Sequence, residues 1–172
     1  AYDIKKNDGK TTFFVKDQEF TINTIADYEL YNSLAAITVL SQMGNDLGTI
    51  ADNLVKFKGI PSRFQYIEND LGKNIVIDFA HTPVAFDSLF KSIPQDVRTY
   101  AVFGVNGDRN EEFRRLTGNI CAKNDVFVVA TTDDNKFDTF ENITNDLIKG
   151  IEEFGGDYKR IENRKEAIKW AI

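Results

Sequence analysis

The chain has one cysteine, Cys121, and one histidine, His81, among 172 residues. A single thiol excludes an internal disulfide and fits a reducing compartment. A lone imidazole cannot build a histidine-based metal site. Long apolar runs are also missing: none approaches the ~20 residues that a membrane span needs, and no signal-peptide pattern opens the chain. Positive charge is in deficit, with a formal net charge of -6, which argues against nucleic acid or an anionic membrane as the main partner. A phosphate-bearing ligand would then need a local basic pocket. Repeats and low-complexity segments are absent. The remainder, 42% hydrophobic and 28% charged, describes an ordinary globular protein with room for one core, or one domain and part of another. A cytoplasmic protein is the default expectation.

A phosphate-binding loop is missing too. Gly9-Lys10-Thr11-Thr12 imitates the end of one, but the motif needs a glycine five positions earlier, after a strand, and Ile4 stands there. Asn7-Asp8-Gly9 instead predicts the turn of a hairpin between residues 2–4 and 11–15. A strand over 19–23 follows. Helices are then predicted over 27–42, capped by Asp27 with Leu30, Leu34, Ile37 and Leu40 on one face, and over 47–57. Gly44 separates them. Lys58-Gly59-Ile60-Pro61 is the best boundary signal. Beyond it strands (64–67, 74–77, 99–103, 126–130, 158–161) alternate with helices (84–92, 111–122, 142–154, 164–172). That order predicts a largely parallel, doubly wound sheet with helices on both faces.

The densest information lies in Asp78-Phe79-Ala80-His81-Thr82-Pro83. The apolar run 74–77 reads as a core strand ending at Asp78; Thr82 can cap the next helix, Pro83 fits its first turn, and Val84, Phe86, Leu89, Phe90 and Ile93 form its apolar face. Ligands of open α/β sheets gather beyond the carboxyl ends of strands, which singles out Asp78 and His81. Asp78 suits a ribose hydroxyl pair or nearby backbone amides. His81 could order the loop or touch a ligand. Two further strand ends carry chemistry: Phe103-Gly104-Val105-Asn106-Gly107-Asp108-Arg109, whose glycines permit close backbone approach, and Thr132-Asp133-Asp134-Asn135-Lys136-Phe137. The acids of the second loop lack the glycine turn and later glutamate of a calcium site. Arg114 and Arg115 fit a solvated helix face, or support for an anionic site. Cys121 and Trp170 fit core or helix packing.

Taken together these segments resemble the Mur ligases, above all the branch adding the third residue of the peptidoglycan peptide. The family's Asp-Tyr-Ala-His-Thr-Pro corresponds to 78–83, with Phe79 for tyrosine. Its Pro-Gly-Arg linker corresponds to Pro61-Ser62-Arg63, its Asn-x-x-Ala-Ala helix to Asn32-Ser33-Leu34-Ala35-Ala36, its Gly-Asp-Arg loop to Gly107-Asp108-Arg109, and its Asp-Asp-Asn-Pro-Arg loop to 133–137. The resemblance implies an α/β fold: a Rossmann-like, doubly wound, mostly parallel C-terminal domain over 58–172, preceded over 1–57 by the tail of a central ATPase domain. It implies an ATP-dependent ligase using ATP and Mg2+, with UDP-MurNAc-dipeptide and an amino acid as the other substrates, inactive as this piece alone and monomeric as a whole. Asn32, Arg63, Asp78 and His81 would bind ATP; Arg109, Asp134, Asn135 and Lys136 would bind the amino acid. Three departures stand out: Glu29 where many relatives have a second asparagine, Ser62 for glycine, and Lys136-Phe137 for Pro-Arg, whose arginine recognises the distal carboxylate of diaminopimelate. The family's P-loop, carbamylated lysine and Gly-Lys-Gly-His-Glu segment have no counterpart here. A related ligase with a folate or cyanophycin-like acceptor, or a non-catalytic domain of this fold, are the competing expectations.

Overall fold

The computed structural model describes residues 1–172, the entire sequence. The chain forms two compact units, Ala1–Phe79 and Ala80–Ile172.

In the first unit three antiparallel strands, β1 (Tyr2–Asn7), β2 (Lys10–Val15) and β3 (Gln18–Ile22), follow one another through tight turns. Alternation along β2 and β3 turns Phe13, Phe20 and Ile22 inward, where they meet Leu30 and Ile37 of α1 (Asp27–Gln42) and Ile50 of α2 (Leu47–Leu54). Asp27 is not the cap of α1. Ala26 holds that position, without a side-chain hydrogen bond, and Asp27 begins the helix, ion-paired to Lys6 at 2.8 Å. Leu40, expected on the buried face, is exposed. Gly44 does end the helix region, with a positive φ of 89°.

β4 (Gln65–Ile67) and β5 (Ile75–Ile77) complete this unit as an antiparallel pair, Tyr66 facing Val76. Residues 74–77 were expected as a core strand of the parallel sheet; Ile77 is exposed and the pairing is local. Three apolar residues are too few to fix either direction or burial, and β4 lies near enough in sequence to capture them.

The second unit carries the parallel sheet, ordered β6 (Thr99–Phe103), β7 (Val126–Ala130), β8 (Tyr158–Arg160). Its helices lie on both faces, as β7 makes plain. Val126, Val128 and Ala130 belong to one core with Phe86 and Phe90 of α3 (Pro83–Lys91), Cys121 of α4 (Glu111–Lys123), and Ile143, Leu147 and Ile151 of α5 (Phe140–Glu152). Phe127, one residue out of phase, meets Trp170 of α6 (Arg164–Ala171) at 5.5 Å between ring centroids. The doubly wound α/β architecture therefore holds, with three parallel strands. Thr82 caps α3 through Ala85 N, with Pro83 in its first turn, although Val84 is exposed rather than packed. Burial pushes the Cys121 thiol well above its ordinary pKa, consistent with a packing role. No helix is long and apolar enough to cross a membrane.

Candidate functional sites

In the first unit the side chains around Asp78 converge from three segments. Asp78 Oδ2 accepts hydrogen bonds from the Tyr28 hydroxyl at 2.7 Å and from Phe64 N at 2.8 Å. The backbone-amide partner expected of a strand-end carboxylate is thus present at this oxygen, with a tyrosine hydroxyl beside it. Burial, followed by the hydrogen bond to Asp78, raises the Tyr28 pKa far above that of an ordinary phenol, so Tyr28 remains a donor. Arg63 is exposed, its guanidinium 5.0 Å from the Phe79 ring centroid, so Phe79 serves as a stacking surface for the arginine. Asn32, exposed on α1, donates to Glu29 Oε1 at 3.3 Å. Burial, above all, raises the Glu29 pKa, and the charges of Arg63 and Asp78 both reach it. Asn32, Arg63 and Asp78 therefore form one cluster, with Tyr28 and Glu29 as members that sequence patterns did not link to Asp78. His81 belongs to the second unit, exposed in the turn before α3.

The linker departure at position 62 has a physical reading. Arg63 N bonds Ile60 O at 3.1 Å, closing a turn with Pro61 second and Ser62 third, and Ser62 has φ of 62°. That left-handed position is where glycine is favoured and a Cβ costs roughly 1–2 kcal/mol. Ser62→Gly should therefore stabilise the protein by about 0.5–1 kcal/mol, the extra unfolded-state freedom of glycine cancelling part of the relief. Thermal unfolding should show a melting temperature about 1–3 °C higher; an unchanged or lower value would mean the serine carries a compensating contact.

In the second unit the loops after β6 and β7 meet at the carboxyl edge of the parallel sheet. Gly107 N donates to Asp134 O at 2.9 Å. A Cβ at Gly107 would lie 1.8 Å from Asn135 O, and one at Gly104 2.5 Å from Thr131 O. The close approach that these glycines permit is thus between one loop backbone and the other. Arg109, half exposed, stacks over Phe113 at 5.0 Å and lies 3.8 Å from Asp108. Lys136 pairs with Asp134 at 2.5 Å, which raises the lysine pKa and lowers that of the acid. The two loops meet through Gly107, Asp134 and Asn135, and Lys136 joins them through Asp134, whereas Arg109 contacts Asp108 and Phe113 of its own segment. Lys136 has φ of 51°, a value closed to proline, whose ring locks φ near -65°. This loop cannot adopt the backbone of an Asn-Pro-Arg sequence, and its next residue, Phe137, is fully exposed.

Arg114 departs furthest from expectation. It is 4% exposed, not part of a solvated face. Nη1 contacts Asp138 at 2.7 Å and Asp146 at 3.2 Å, Nη2 donates to Gly107 O at 2.9 Å, and buried Nε has no partner. Leaving such a donor unmet costs about 1–3 kcal/mol. The hydrogen bond from Arg114 is the main reason that the Asp138 carboxyl sits below the usual range. Arg115 does lie on the solvated face, paired with Glu153. Position was the missed signal: Arg114, Thr117, Gly118 and Cys121 are all buried and fall at i, i+3, i+4 and i+7 of α4. An open depression of about 540 Å³ beside Arg114, lined by Asp146, Lys149, Tyr158 and Arg160 among others, excludes Arg109, Asn135 and Lys136. Several of its polar groups already have partners: Lys149 pairs with Asp146 and Glu111, Tyr158 donates to Glu152 and Arg160 donates to Asn145.

A parallel, doubly wound unit with two loops joined at one strand edge defines a Rossmann-like domain. The chain belongs to the Mur ligase family: residues 62–172 match the family described as "Mur ligase, glutamate ligase domain". Among curated proteins it is 32% identical over 166 residues to the UDP-N-acetylmuramoyl-L-alanyl-D-glutamate--2,6-diaminopimelate ligase of Rickettsia conorii, covering 93% of this chain and 34% of that protein. It is 31% identical over 147 residues to the enzyme of the same name from Clostridioides difficile, covering 84% and 30%. The chain thus spans about a third of the length of these relatives. A solved UDP-N-acetylmuramoyl-L-alanyl-D-glutamate--2,6-diaminopimelate ligase superposes with a TM-score of 0.62 at 28% identity, over 98% of this chain and 36% of that one. The MurF ligase of Thermotoga maritima, solved with ADP, shares the fold at 22% identity and a TM-score of 0.59, over 99% and 44%.

Proposed function

We propose that the chain is the C-terminal part of an ATP-dependent ligase that adds the third amino acid to UDP-MurNAc-dipeptide in peptidoglycan synthesis, working in the cytoplasm as a monomer. Residues 1–57 would close its central ATPase domain and 58–172 would form its C-terminal domain. The observation that carries this reading is the Gly107–Asp134 hydrogen bond, which joins the Gly-Asp-Arg loop to the Asp-Asp-Asn loop at one strand edge. The first brings a guanidinium for a carboxylate, and the second brings amide and charged groups for a side chain.

In the reaction the acceptor carboxylate attacks the γ-phosphorus of ATP, giving an acyl phosphate and ADP. The amine of the incoming amino acid then attacks the acyl carbon, phosphate leaves with the C–O bond electrons, and the amine loses a proton as the peptide bond forms. Arg63 would contact the nucleotide phosphates, Asp78 the ribose, Asn32 the adenine, and His81 the nucleotide or its loop. Arg109 would hold the α-carboxylate of the amino acid, with Asp134, Asn135 and Lys136 beside its side chain; holding both reactants in place supplies much of the rate. Mg2+ would neutralise phosphate charge, but no group of three or more His, Cys, Asp or Glu side chains here is arranged to hold a metal ion, so its ligands are assigned to the rest of the ATPase domain.

The test is ADP release by the complete protein, supplied with ATP, UDP-MurNAc-L-Ala-D-Glu and L-lysine, diaminopimelate or ornithine in turn. Turnover that depends on one amino acid is expected and names the substrate. ATP binding without turnover on any of the three would replace this reading with another acceptor, of folate or cyanophycin type, or with a non-catalytic relative.

A further inference from the structure

We propose that Arg114 is a positioning residue that sets the Gly107-Asp108-Arg109 and Asp134-Asn135-Lys136 loops as one unit, so that affinity for the incoming amino acid depends on a side chain that never touches it. The inference rests on the assignment of those loops to the amino acid.

The guanidinium reaches three elements at once. Nη2 donates to the carbonyl of Gly107, two residues before Arg109; Nη1 meets Asp138, two residues after Lys136; the same nitrogen meets Asp146 within α5. Gly107 is consequently held from both sides, its N–H by Asp134 O and its carbonyl by Arg114. The second loop is fastened at both ends as well. Arg164 Nε donates to Thr132 O at 3.1 Å before the loop, and Asp138 N to Asn135 O at 2.9 Å closes its far side. Neither Arg109 nor Lys136 is among the partners of Arg114, so its effect on them passes through the backbone. A planar fork meets these separate directions with fixed geometry, whereas the single nitrogen of lysine cannot donate to Gly107 and pair with both acids in the same arrangement. Burial adds weight: a cation kept from water with one N–H unmet is tolerated where geometry, rather than stability, is what it supplies.

The experiment uses the complete protein with Arg114→Lys, and with Asp138→Asn as a second variant that leaves the Asp146 contact in place should the first fail to fold. Three quantities are read: the KM for the amino acid against that for ATP, the melting temperature, and hydrogen exchange at Gly107 and over 132–138. Expected for Arg114→Lys is an amino-acid KM about tenfold higher, an ATP KM within about twofold, and faster exchange in both loops; Asp138→Asn should follow in the same direction, more weakly. A merely structural arginine would lower the melting temperature while leaving both KM values of the folded enzyme alone, and that result overturns the proposal. Unchanged loop exchange also overturns it, whether or not the enzyme turns over. A wild-type protein that uses no amino acid, with exchange still accelerated in the variants, would remove the functional assignment and the affinity claim with it while retaining the loop clamp.

Discussion

Alanine at Gly118 should destabilise this chain strongly. Gly118 on α4 and Gly150 on α5 face each other's helix: a Cβ at Gly118 would lie 2.0 Å from Leu147 O, and one at Gly150 1.9 Å from Arg115 O. The obstacles are backbone carbonyls, so no rotamer change relieves them and the helices must separate. Separation would loosen Cys121, Leu147 and Ile151, which are fully buried between these helices and the sheet, and would pull Asn119 Nδ2 from its 2.8 Å bond to Gly150 O. Overpacking of this kind costs about 1–3 kcal/mol or more, against roughly 1 kcal/mol gained from helix propensity. With the lost core contacts and hydrogen bond included, a net loss of about 3–4 kcal/mol is expected, or a melting temperature lower by about 6–16 °C. The double variant Gly118→Ala, Gly150→Ala should lose less than the sum, since the first methyl already moves the helices apart. Urea unfolding of the three variants gives the comparison. A change below about 1 kcal/mol for Gly118→Ala would mean that the helices pack less closely than described.

The glycines show how far the sequence could be read. Repeating apolar positions were enough to place β6, β7, α4 and α5, because each buries a stripe whose period belongs to one kind of element. A glycine inside a helical stripe states only that something is close; what approaches Gly118 comes from α5, some thirty residues further on. The β4–β5 pair departs from the expected core strand for a similar reason. Ile75-Val76-Ile77 satisfies a core strand and a local antiparallel strand equally, and the choice depends on pairing energies that a three-residue pattern does not contain.

The candidate sites divide along the same line. Residues at strand ends, among them Asp78, Arg109 and Asn135, were legible because a strand-to-helix junction puts polar side chains at the sheet edge whatever the rest of the chain does. The groups that hold them were not. Tyr28 stands fifty positions from Asp78, and no local signal ties the two. Arg114 looked solvated beside Arg115, since adjacent arginines are usually surface residues. Its helical phase pointed inward, but two carboxylates and a carbonyl from other segments are needed before burial of a guanidinium becomes tolerable.

Alanine at Gly107 should strike function harder than stability. Its Cβ would fall 1.8 Å from Asn135 O and 2.5 Å from the carbonyl carbon, whereas ordinary contact needs more than about 3 Å. One loop must give way by about an ångström or more, breaking the Gly107–Asp134 bond or the Arg114–Gly107 bond. Stability should fall by only about 1–3 kcal/mol, because these loops are partly exposed and the core beneath them is untouched. Catalysis is less forgiving, since a displacement of about 1 Å at a positioning element costs about a hundredfold. On the proposed function, kcat/KM for the amino acid should drop by about two orders of magnitude in the complete protein, while the KM for ATP should change little, since three of its four proposed contacts, Asn32, Arg63 and Asp78, lie in the other compact unit and the fourth, His81, lies outside both loops. Steady-state kinetics with each substrate varied in turn would separate the two. A folded Gly107→Ala protein with normal kcat/KM for the amino acid would show that the Gly-Asp-Arg and Asp-Asp-Asn loops do not read that substrate together.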